Sequence, residues 1–203
     1  HADGTTYTYD LNVQQLQIIG YTDTDGELGE EIVAQANMLD SYGNWVLDRV
    51  FIIHDRIQTV TEIADFYGPG AIGHVWNSFY DLDDEPGNEL VLEKTDANQQ
   101  HIVRIISDRT NISHDYNFSS QNLSFYAYVY ELNGLPGKEF ILVNNNYTGI
   151  GVLDFRNNRL HYYPIQYSDW SLDIRNLDGQ PGDEIIINPY NSTENNTVVI
   201  CDR

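Results

Sequence analysis

A nine-residue, carboxylate-rich turn recurs four times in this chain, and each copy runs straight into an apolar strand. The copies are Asp23-Thr-Asp-Gly-Glu-Leu-Gly-Glu-Glu31, Asp81-Leu-Asp-Asp-Glu-Pro-Gly-Asn-Glu89, Glu131-Leu-Asn-Gly-Leu-Pro-Gly-Lys-Glu139 and Asn176-Leu-Asp-Gly-Gln-Pro-Gly-Asp-Glu184. All four place Gly at position seven and Glu at position nine. Repeats about fifty residues apart mean one supersecondary unit used several times, as in a solenoid, a propeller or an array. A second element follows each turn: an apolar strand that ends in Arg, at Arg56, Arg109, Arg156 and Arg203. Further strands follow the first and third of these, at Ile57–Ile63 and Arg159–Ile165. After Arg203 the strand is missing, and the alternating N-terminal segment Thr5–Leu11 offers it.

This order is what ring closure by an N-terminal strand would produce. Closure protects sheet edges, whereas an open array needs atypical capping repeats. The expectation is therefore an all-β fold: a small closed β-propeller of four blades, formed by residues 1–203 as one domain, with its last blade completed by the N-terminal strand. Strand formers in short runs, punctuated by Gly, Asn, Asp and Pro, agree with it.

Net charge excludes one class of function. The chain carries −21 with only two lysines, Lys94 and Lys138. Phosphate binding needs clustered Lys and Arg, so no nucleic-acid partner is expected. No stretch is long and apolar enough to insert in a membrane. Cys201 is the only cysteine, which leaves no internal disulfide and no Cys-based zinc site. Six Asn-x-Ser/Thr sequons, at Asn111, Asn117, Asn122, Asn146, Asn191 and Asn195, favour a secreted or periplasmic setting. A start at His1 without Met is what a mature or trimmed product would show. The sequence leaves oligomeric state open.

The turns themselves suggest a metal. Oxygen ligands at alternate positions of a short loop suit a hard cation, and calcium takes about six to eight oxygens. Turn one offers Asp23, Asp25, Glu27 and Glu31; turn two offers Asp81, Asp83, Glu85 and Glu89. Four carboxylates in nine residues repel one another unless something screens them. Turns three and four are weaker, with Leu135 and Gln180 at position five. The competing reading is a self-satisfied turn, in which Gly supplies positive φ, Asp and Asn bond nearby backbone, and the last Glu accepts loop N–H groups.

The pattern Asp-x-Asp/Asn-Gly-x-Pro-Gly-x-Glu, followed by an apolar strand, resembles the FG-GAP or VCBS repeat of integrin-α-type β-propellers, at one motif per repeat across the chain. The resemblance implies calcium in the loop, held through positions one, three, five and nine. It also implies recognition of a protein or glycan more often than catalysis.

No catalytic motif stands out among the six histidines or the serines. The leading expectation is a non-enzymatic extracytoplasmic module that binds a protein or glycan. Candidate ligand-binding aromatics are Trp45, Trp76, Tyr126 and Trp170, because rings with polar tips suit sugars and interfaces. Of the three tryptophans, Trp45 follows the turn-like Tyr42-Gly-Asn and should be the exposed one. Two alternatives stay open: a glycan-active hydrolase or lyase using carboxylates of the propeller face, and an inhibitory or structural domain acting on a basic partner. The strand-end arginines are expected to bridge to the acidic turns.

Overall fold

The computed structural model describes residues 6–64, 66–67, 72–75, 79–96, 98, 100–118, 123–144, 148–165, 170–190 and 197–200, with the backbone alone at 72–75, 123–127 and 144. The chain is all-β. Among the described residues four antiparallel sheets follow one another in sequence. Among the described residues no helix is long and apolar enough to cross a membrane.

Two compact units hold these sheets: residues 1–79 with 86–116, and residues 80–85 with 117–203. In the first unit, sheet one comprises β1 (Gln15–Thr22), β2 (Glu31–Leu39), β3 (Trp45–His54) and β4 (Thr59–Ile63). Sheet two comprises β5 (Ile72–Val75), β6 (Leu90–Thr95), β7 (His101–Ser107) and β8 (Ile112–Asn117). In the second unit, sheet three comprises β9 (Leu123–Tyr130), β10 (Glu139–Asn144), β11 (Gly149–Asp154) and β12 (Arg159–Pro164). Sheet four comprises β13 (Trp170–Arg175), β14 (Glu184–Pro189) and β15 (Val198–Ile200).

The meander pattern explains the hydrophobic runs. The strand after each acidic turn lies inside its sheet, paired on both edges, so its residues read as continuous apolar stretches rather than as alternation. Ile185, Ile186 and Ile187 of β14 are all buried, as are Leu90, Val91 and Leu92 of β6. First and fourth strands face water more: β1 and β4 are mostly exposed. One core in the first unit joins Val33, Val50, Ile52, Phe66, Leu90 and Leu92. The second unit's core joins Ile141, Ile150, Val152, Trp170, Ile185 and Ile187. Each such fully buried side chain contributes about 1.5–3 kcal/mol through removal from water.

The N-terminal segment departs from expectation. Residues 6–13 form no strand, and sheet four has three strands among the described residues. Instead Tyr9, Leu11 and Val13 pack on Ala36, Phe51 and Ile53 of sheet one, and the Tyr9 hydroxyl donates to Asp55 Oδ1 at 3.0 Å. The alternation that suggests a strand here is one apolar face laid on a neighbouring sheet, without ladder bonds. Thr5, Trp76, Cys201 and Arg203 lie outside the described residues, as does the Tyr126 side chain.

Candidate metal centre

Each acidic turn joins the first and second strands of its sheet, and all four share one hydrogen-bond scheme. The side chain at position one accepts the N–H of position four: Gly26 to Asp23 at 2.6 Å, Asp84 to Asp81 at 2.7 Å, Gly134 to Glu131 at 2.5 Å and Gly179 to Asn176 at 2.6 Å. The side chain at position three accepts the N–H of position five: Glu27 to Asp25 at 2.9 Å, Glu85 to Asp83 at 2.9 Å, Leu135 to Asn133 at 2.7 Å and Gln180 to Asp178 at 2.9 Å. The Glu at nine is buried in every copy. In turns one, three and four it accepts the N–H of position two, from Thr24, Leu132 and Leu177 at 2.7–2.8 Å. These are Asx-type turns closed by a buried carboxylate.

Backbone conformation follows from this scheme. Position four is left-handed in every copy, at φ 74° in Gly26, 60° in Asp84, 72° in Gly134 and 74° in Gly179. Position seven is also positive, and close approach adds a second demand for Gly there. A Cβ on Gly87 would lie 2.8 Å from the Thr24 carbonyl oxygen, and one on Gly182 would lie 2.5 Å from that of Leu132. One turn thus docks on another within each unit. Asn88 N–H donates to the Asp23 carbonyl at 2.7 Å in the first unit, and Asp183 N–H donates to the Glu131 carbonyl at 2.8 Å in the second. The equivalence of these positions accounts for the recurring Pro-Gly.

What differs between copies is how the remaining oxygens are neutralised. In turn three the Asn133 amide donates to Glu139 Oε1 at 2.6 Å. In turn four the Asn176 amide donates to the Gly182 carbonyl at 3.1 Å and to that of Gln180. Turns one and two have carboxylates where these amides stand, so acid faces acid. Among the described residues two clusters capable of holding a metal ion result: Asp25, Glu31 and His54, and Asp81, Asp83 and Glu89 within the one continuous second turn. In each, one ligand atom per residue lies within 4.8 Å of the others.

Of the eight expected ligands, the clusters bring together five. Asp23 lies outside both clusters, and Glu27 and Glu85 are exposed. Glu27 instead meets Arg56 at 3.5 Å, the bridge expected of a strand-end arginine. Arg156 reaches turn three through the Pro136 carbonyl at 2.9 Å. Sequence reading missed His54. It ends β3 immediately before Asp55-Arg56, at the position that Ser107, Asp154 and Cys201 hold in the other copies. A histidine unique to one copy of a repeat was the available signal.

Around His54 the first unit builds a buried polar knot. Its Nε2 lies 3.2 Å from Thr61 Oγ1 and 3.4 Å from Asp108 Oδ2, and its Nδ1 lies 3.7 Å from Asp25 Oδ2. The Thr24 hydroxyl lies 2.9 Å from Asp108 Oδ2 and 3.2 Å from Glu31 Oε2. Burial raises the Asp108 carboxyl above the ordinary value, and the Asp25 charge adds to this; the Thr24 hydrogen bond and His54 oppose it.

The candidate aromatics separate. Trp45 is 54 % exposed. It opens β3 opposite Leu39, beside the pair Met38–Val46. Trp170 is buried in the second unit's core, so its ring serves packing and is not presented to a ligand. Comparison with family models, curated proteins and solved structures finds no match to this chain.

Proposed function

We propose that this protein is a non-enzymatic recognition module, of the FG-GAP/VCBS-like repeat class, working outside the cytoplasm. One observation carries the reading: the β2–β3 hairpin presents exposed Met38, Leu39, Tyr42 and Trp45 on a rigid tip. Asp40 builds that tip. Its Oδ1 accepts the N–H groups of Tyr42 and Asn44, both at 2.8 Å, and its N–H donates to the Asn44 carbonyl at 2.9 Å. These bonds, led by the one from Asn44, hold the Asp40 carboxyl below its ordinary pKa. A fixed loop loses little entropy on binding, and Trp and Tyr dominate binding energy at interfaces. Aliphatic Leu39, paired with Trp45 across the hairpin, suits a protein surface better than a sugar face, so a protein ligand is favoured over a glycan.

In the same proposal, calcium orders the second turn through the oxygen-only set Asp81, Asp83 and Glu89, since calcium prefers carboxylate and carbonyl oxygens. Each sheet is taken as one propeller blade; the maximum dimension from solution scattering tests closure into a ring of four. The binding test is a display screen of secreted proteins and, in parallel, of glycans, with Trp45→Ala as control. Capture that Trp45→Ala abolishes supports the reading. Capture indifferent to Trp45, or turnover of a polysaccharide by the wild-type chain, overturns it.

A further inference from the structure

We propose that Asp25, Glu31 and His54 form a mixed nitrogen–oxygen site for a divalent transition-metal cation of the zinc class, distinct in chemistry from the calcium expected in the second turn. His54 is the member of this set with an unsatisfied ring nitrogen. Its side chain is 8 % exposed, and its Nδ1 is buried without a hydrogen-bond partner among the described residues. A buried nitrogen left so is destabilising unless a ligand satisfies it. The other ring nitrogen is already engaged with Thr61 and Asp108. With the proton on Nε2, where Thr61 and Asp108 lie, the Nδ1 lone pair faces the Asp25 carboxylate, 3.7 Å away. Two electron pairs facing across that gap call for a cation between them.

Each ligand residue is held by one atom and leaves another for the ion. Asp25 accepts the Glu27 N–H on Oδ1, so Oδ2 remains. Glu31 accepts from Thr24 on Oε2, so Oε1 remains. His54 is oriented through Nε2, so Nδ1 remains. Such outer hydrogen bonds are how metal ligands are fixed in orientation and tautomer. The spacing also fits. Two ligands about 2.1 Å from one zinc ion at the tetrahedral angle stand about 3.4 Å apart, close to the 3.7 Å between His54 Nδ1 and Asp25 Oδ2. Imidazole selects zinc and its neighbours, whereas calcium takes oxygen alone. Asp25, 20 % exposed in its side chain, leaves a path for the ion to enter.

The test titrates the EDTA-stripped full chain with zinc chloride, and separately with calcium chloride, by calorimetry and by ¹H–¹⁵N spectra of the histidine rings. The expected result is zinc binding that shifts the His54 Nδ1 resonance and falls at least about tenfold in Asp25→Asn and His54→Gln. Calcium should leave that resonance in place. Because His54→Gln disturbs a buried position, the more accessible Asp25→Asn and the ring spectrum of the wild type carry the test if it misfolds. Absence of zinc binding at millimolar concentration overturns the proposal, as does zinc binding that leaves His54 unshifted. A His54 ring found doubly protonated and indifferent to zinc would also overturn it, since the imidazolium alone would then screen the acids. None of these outcomes touches recognition through the Trp45 hairpin.

Discussion

Three substitutions in the second unit separate the two demands made on position four of the turn. Gly134 and Gly179 have nearly the same backbone, at φ 72° and 74°. Their surroundings differ. A Cβ on Gly134 would lie 2.7 Å from the Pro181 carbonyl oxygen and 2.9 Å from the Pro181 Cβ, whereas one on Gly179 meets no described atom within 4 Å. Left-handed backbone costs an L-residue about 1–2 kcal/mol. Replacing Gly by Ala returns about 0.4–1 kcal/mol by restricting the unfolded chain. Gly179→Ala should therefore destabilise by about 0.5–1 kcal/mol. Gly134→Ala should add an overpacking penalty of about 1–3 kcal/mol. Asp84 holds the same position at φ 60° with a side chain already in place, so Asp84→Gly should reverse the sign and stabilise by about 0.5–1 kcal/mol. Urea unfolding read by Trp170, which is buried in the same unit, measures all three at fixed EDTA. Equal losses for Gly134→Ala and Gly179→Ala would refute the docking of turn four on turn three. No loss at Gly179 would refute the left-handed backbone itself.

Other outcomes follow from the same geometry. Glu184→Ala orphans the Leu177 N–H, which is 2.7 Å from the buried carboxylate, and should cost about 1–3 kcal/mol in thermal or chemical unfolding. Asn133→Asp replaces the amide that donates to Glu139 with a second acid; it should destabilise in EDTA by about 1–3 kcal/mol and make stability calcium-dependent in a melting assay. Trp45→Ala should leave stability within about 0.5 kcal/mol, because the ring is half exposed, while abolishing capture of the partner. The depressed pKa of Asp40 fixes the sign of a pH effect: its stabilisation of the hairpin tip is present above the ordinary aspartate value and is lost as pH falls through the lower folded value. Protection of the Tyr42 and Asn44 amides, relative to their intrinsic exchange, should fall over that acid range, and unchanged protection there would contradict the Asp40 cap.

The repeat was legible because its physics is local. Position one bonding position four, position three bonding position five and Glu at nine closing the loop all lie within nine residues, so residue type at fixed spacing suffices to read them. The self-satisfied turn and the acidic clusters that could hold a metal ion rest on one scheme: the same carboxylates that cap backbone N–H groups with one oxygen leave the other over. His54 was illegible because its partners Thr61, Asp108 and Asp25 come from other loops and strands. Nothing in linear spacing joins residue 54 to residue 108. The N-terminal segment misled for the opposite reason. Alternating Tyr7, Tyr9 and Leu11 mark a strand or merely an apolar side, and the pairing partner decides between them. Trp170 shows the same limit: tryptophan content does not distinguish core from surface, whereas the turn residues beside Trp45 did.

The most direct test of the account is an amide NMR titration of the metal-stripped chain with calcium and, separately, with zinc. Calcium shifts should centre on residues 81–89 and zinc shifts on 23–31 and His54, with turns 131–139 and 176–184 unmoved because Asn133 and Asn176 already supply the donors there. Equal shifts in all four turns, or none in any, would contradict it.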